Sequence, residues 1–185
     1  MAWINTIDEK EAKGELKDIY ERIKEKRGKI SNIMKVHSLN PKTMKSHLDL
    51  YLNLMFGDSN LSRELRELIA VVVSAANNCE YCMVHHSEAL NHFLKDKKQL
   101  EKAIKNFAST KFPSKIKKML EYAYKLTKAP DKITREDIEI LRKSDFSDKD
   151  ILDINLITSY FNFVNRIASG LGVNFTSKEL QGYKF

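Results

Sequence analysis

Proline and glycine are scarce here, three and six in 185 residues. That scarcity excludes a collagen-like or Pro/Gly-rich disordered chain. Long apolar runs are missing too, and nothing approaches the roughly 18 residues a membrane span needs. The opening "MAWINTIDEKEAKGELKDIY" shows no basic segment leading into an apolar one, so no secretory signal is read there. A cytoplasmic protein with no membrane partner is expected. Cysteine is limited to two residues, too few for a disulfide scaffold. Strand-type alternation is almost absent, which leaves little room for a sheet.

Charge is plentiful but not segregated. Lysine and arginine exceed the acids by 32 to 25, a formal net charge of +7. The basic residues alternate with acids, as in "YERIKEKRGK" and "KDKKQLEKAIK", and the one dense run is Lys115-Ile116-Lys117-Lys118. That is the pattern of solvated helix faces, and no nucleic-acid partner is expected.

What is present is helical periodicity. "GELKDIYERIKEK" sets Leu16, Ile19, Tyr20 and Ile23 on one stripe, with Gly28 as its stop. Pro41 opens a second helix carrying Leu48, Tyr51, Leu52 and Met55 on one face, ended by "GDSN". Ser62 is placed to cap "RELRELIAVVVSAA", whose apolar end should be buried. Asn77-Asn78 reads as a break, with a further helix from about Cys79 to Leu94. Another begins near Pro113. Capping-box spacing recurs at Thr134/Asp137, Ser147/Asp150 and Thr176/Glu179. The expectation is one all-α domain over residues 1–185, with a helical hairpin at 62–94. A weak internal duplication is suggested at an offset of 85, where Ser62, Ser74 and Asn77 match Ser147, Ser159 and Asn162.

The chemistry concentrates in "NNCEYCMVHH", residues 77–86, where both cysteines sit three apart with two of the five histidines behind them. If the helices on either side of Asn77-Asn78 run antiparallel, Glu67 and His86 fall within about 3 Å of the same height at 1.5 Å rise per residue. His86 lies four residues beyond Cys82, on the same face. Cys79 falls at a helix N-terminus, where unpaired N–H groups favour a thiolate. Three readings of the pair stand at this point: a redox dithiol, a zinc site using Cys79, Cys82, His86 and Glu67, or two buried thiols. His85 points about 100° away from His86. His37, His47 and His92 have no chemical partner nearby in sequence and read as structural.

The spacing Glu67, eleven residues, Cys79, two residues, Cys82, three residues, His86 resembles the signature of the alkylhydroperoxidase D-like (AhpD-like) proteins, members of the carboxymuconolactone decarboxylase superfamily. "SNIMKVHSLNPKTMKSHLDLYLNLM" and "FSDKDILDINLITSYFNFVNRIASGLGV" extend the likeness to the peroxidase-related branch. The resemblance implies an AhpD-like helical bundle, a homo-oligomer (dimer or hexamer) with pockets near subunit contacts, and thiol-dependent hydroperoxide reduction without a cofactor or metal. It also implies a dithiol reductant, thioredoxin-like or a lipoyl protein. Carried over, Glu67 and His86 form a proton relay and Cys79 and Cys82 a redox pair. Cys82 is taken as the attacking thiol because His86 sits one turn from it. Tyr81 stands where the best-known members carry a histidine. Tyr160, Asn162 and Arg166 approach the pocket in the same likeness. Lactone decarboxylation is not expected, because the decarboxylase members generally lack the cysteine pair. Two rival functions remain: a redox-sensing or disulfide-exchange module without sustained turnover, and a zinc-bound structural hairpin.

Overall fold

The computed structural model describes residues 2–177 and 179–183. Among them every regular element is helical: α1 (Gly14–Arg27), α2 (Asn32–Lys35), α3 (Pro41–Phe56), α4 (Arg63–Ala76), α5 (Glu80–Leu94), α6 (Lys97–Asn106), α7 (Ser114–Lys128), α8 (Arg135–Lys143) and α9 (Asp148–Gly170). No described helix is long and apolar enough to cross a membrane. The chain divides into two compact units, residues 1–53 with 166–185, and residues 54–165.

In the first unit the α1 stripe is buried as its spacing requires: Leu16, Ile19, Tyr20 and Ile23 pack with Met34, Met44 and Leu48. Gly28 closes α1 at φ 79°, a left-handed conformation that costs glycine little, and its N–H donates to the Lys24 carbonyl. The four-residue α2 precedes α3 and is too short to leave a periodic signal in sequence. The His37 and His47 rings, read in sequence as partnerless, pair with each other: Nε2 of His37 lies 2.8 Å from Nδ1 of His47. At the Thr176/Glu179 spacing, the Thr176 hydroxyl accepts from the Glu179 N–H at 3.3 Å. Glu179 turns its carboxylate elsewhere, accepting from the Asn32 N–H at 3.1 Å and the Tyr183 hydroxyl at 2.8 Å.

The second unit is organised around α4, in which every residue from Arg66 to Ser74 is buried. Ser62 accepts from the Leu65 N–H and caps it. The other two capping boxes form as spaced. Thr134 N–H donates to the Asp137 carboxylate at 2.7 Å, and Ser147 N–H to Asp150 at 2.8 Å. The buried Arg66 pins the segment leading into α4 by donating to the carbonyls of Leu54, Gly57 and Leu61. Met119, Leu120 and Ala123 of α7 and Ile154, Ile157 and Phe161 of α9 complete this core.

Candidate active site

Helix α4 ends at Ala76, and the chain reverses in two residues. Asn77 returns its N–H to the Val73 carbonyl, and Asn78 takes φ 54°, a left-handed conformation asparagine tolerates. Cys79 is then the N-cap of α5, its N–H held by the Ser74 carbonyl at 2.9 Å. This tight turn makes the two helices antiparallel neighbours and sets the register of everything after it.

Glu67 on α4 and His86 on α5 meet at 2.6 Å, Oε2 to Nδ1. Glu67 is fully buried, so the rotation that sequence alone leaves open resolves inward. Burial pushes its carboxyl pKa up, but His86 and Arg63 outweigh that and hold it below the usual carboxylate range. Because Glu67 stays ionised, Nδ1 of His86 carries the shared hydrogen. The imidazole edge packs on Phe161 of α9, ring centroids 4.5 Å apart at 77°. Arg63, one turn before Glu67, donates from Nε to the other carboxylate oxygen at 2.8 Å, and its Nη2 reaches the same oxygen.

Both cysteines are free thiols and buried. Cys82 lies one turn before His86, and its pKa is raised well above the ordinary thiol value. Its hydrogen bond with Cys79 is the first cause and burial the second, while the Asn165 amide pulls the other way. Cys82 is therefore a thiol that holds its proton. Asn165 is fixed from behind, accepting from the Asn77 amide at 2.9 Å and donating to the Ser74 hydroxyl at 3.2 Å. Asn77 also donates to Asn162 at 3.0 Å, and Asn162 donates to Thr127 and to the Thr158 carbonyl. A polar network thus ties the hairpin turn to α7 and α9 beneath the sulfurs.

The remaining candidates fall around this centre. Tyr81 is buried and stacks on His85, centroids 4.1 Å apart, while His85 Nδ1 meets the Tyr81 carbonyl at 2.8 Å. Tyr160 makes an edge contact with Phe161, ring centroids 5.1 Å apart. Arg166 is exposed and belongs to the other unit. Among the described residues, no three His, Cys, Asp or Glu side chains are arranged to hold a metal ion.

The profile of the carboxymuconolactone decarboxylase family matches residues 41–125. The crystal structure of a peroxidase-related protein from a Silicibacter species is 31% identical, covers 96% of this chain and 91% of its own, and superposes with a TM-score of 0.83. The chain belongs to the carboxymuconolactone decarboxylase family. A second structure, the alkylhydroperoxidase AhpD core of a peroxidase-related protein from Ralstonia eutropha, is 26% identical over 97% of this chain and 94% of its own, with a TM-score of 0.87. The debrominase Bmp8 shares the fold at 18% identity, covering 95% of this chain and 96% of its own, with a TM-score of 0.78. A comparison with curated proteins finds no match. The all-helical, AhpD-like fold implied by the family motif is the one observed.

Four residues of the site escape a reading by cysteine spacing: Arg63, Ser74, Phe161 and Asn165. Arg63 left a signal in its i,i+4 relation to Glu67.

Proposed function

We propose that the protein reduces hydroperoxides with its cysteine pair. The observation that carries this reading is the Glu67–His86 hydrogen bond, which fixes a base on the Cys82 face of α5. A thiol that keeps its proton needs an acceptor before it can attack. His86 Nε2 takes the Cys82 proton, and the sulfur attacks one peroxide oxygen. The O–O bond breaks, the leaving alkoxide recovers the proton from the imidazolium as an alcohol, and Cys82 becomes a sulfenic acid. The Cys79 sulfur then displaces the hydroxyl from Cys82, which leaves as water with the Cys79 proton, and a disulfide closes. An external dithiol, thioredoxin-like or lipoyl-bearing, resets the pair by exchange. The active form in this reading is a homo-oligomer in a reducing compartment.

Stopped-flow oxidation of the two thiols by hydrogen peroxide and organic hydroperoxides tests it. His86→Ala is expected to slow oxidation by roughly 10²–10⁴-fold, the usual contribution of a positioned base. Wild-type thiols that survive excess hydroperoxide, or a His86→Ala protein as fast as wild type, would sink the proposal. A second reading follows from the burial of both thiols, 3% and 2% exposed. In it the disulfide is a switch without sustained turnover. One oxidation per chain, with no steady rate under a dithiol, distinguishes it.

A further inference from the structure

The Arg63–Glu67 contact has the spacing of a common surface ion pair but not its setting. Such i,i+4 pairs ordinarily face solvent and contribute little. Here the carboxylate is wholly buried and the guanidinium side chain only 15% exposed. Arg63 also lies over the Phe56 ring, 3.7 Å from its centroid, so the cation is held between an aromatic face and the carboxylate. The two oxygens of Glu67 are divided: Oε1 takes Arg63 and Oε2 takes His86. Arg66, the next cation on α4, cannot stand in, because its guanidinium is committed to the carbonyls of Leu54, Gly57 and Leu61. The titratable groups facing Glu67 are Arg63 from its own helix and His86 from α5. From α9 the neighbour of His86 is the uncharged Phe161 ring, and one turn back on α5 is Cys82.

That division has an electrostatic consequence. A buried carboxylate with no fixed countercharge draws one from its neighbour, and the neighbour here is the base. An imidazole locked as imidazolium accepts no proton. A permanently charged guanidinium on Oε1 already neutralises Glu67, and the imidazole can remain neutral. We propose that Arg63 is a positioning residue of the thiol site, neutralising Glu67 so that His86 stands as an uncharged base with Nε2 open. The inference deepens the proposed hydroperoxide chemistry and rests on it for its kinetic consequence.

The test combines ¹⁵N NMR titration of the imidazole, which needs no substrate, with the pH dependence of thiol oxidation by hydrogen peroxide. In the wild type at pH 8, His86 is expected to show a protonated Nδ1 and a bare Nε2. In Arg63→Met both midpoints are expected to move upward by about one pH unit or more, the scale of losing one adjacent charge. Arg63→Lys, which keeps the charge but not the fork or the stacking, is expected to restore most of that shift. A merely structural Arg63 would lower the rate at every pH and leave the midpoints in place, and that result overturns the inference. So does a wild-type imidazole protonated on Nε2, a measurement that stands even if Arg63→Met fails to fold. If the titrations shift as stated while no hydroperoxide oxidises the wild type, the charge device survives and the peroxidase reading falls.

Discussion

His86 and His47 begin from similar positions and end with opposite properties. Each presents Nδ1 to a neighbouring side chain, at 2.6 Å and 2.8 Å, and each is largely shielded from water. The partners differ. His86 faces an ionised carboxylate. His47 faces the His37 imidazole, and burial together with that ring pushes its pKa down to about 3. In the proposed chemistry His86 transfers a proton, while His47 is kept neutral. For His47 burial is the larger cause and the second ring adds to it, whereas His86 has a carboxylate as its partner.

Removing the charged partner should have the largest effect on stability. Glu67→Ala leaves the Arg63 guanidinium facing the site uncompensated, and a loss of about 3 kcal/mol is expected in urea unfolding. An unchanged midpoint would mean that the carboxylate is not the centre of the pair. Next is acidification. His47 is neutral in the folded state, whereas an unfolded histidine charges below about 6.5. The unfolded state therefore binds the proton first, so the contribution is complete above about pH 6.5 and is lost as pH falls toward 3. Between pH 7 and 5 the loss should be about 2 kcal/mol, absent in His47→Gln. The smallest and sharpest test converts one pair into the other. His37→Asp gives His47 a carboxylate partner, and the loss between pH 7 and 5 should shrink to below about 1 kcal/mol. If the slope is unchanged, the contrast between the two histidines has another cause.

Much of the site was legible because its determinants are local. The break at Asn77-Asn78, the cap at Ser62 and the i,i+4 step from Cys82 to His86 are read within a few residues. Helix rise alone set Glu67 and His86 at one height, and the structure joins them. Asn165, Phe161 and the His37–His47 pair were not legible. Asn165 lies 91 residues from the Ser74 hydroxyl it donates to, and no local period reports that meeting. Glu179 had the right spacing for a capping box, yet its carboxylate bonds the Asn32 N–H, 147 residues away. A local preference worth about 1 kcal/mol is readily displaced when tertiary packing offers another donor.

The sequence by itself determined the all-helical class, the hairpin, the common height of Glu67 and His86, and the family whose motif is present. Those follow from spacing along single helices and one tight turn, geometry that the covalent chain dictates. Only the tertiary structure decided the charge state of that site. Whether Glu67 faced inward, whether Arg63 closed over it, and whether Cys82 lost or kept its proton depend on burial and on charges brought from other elements. Desolvation and Coulomb interactions act through space, and a linear pattern does not record them.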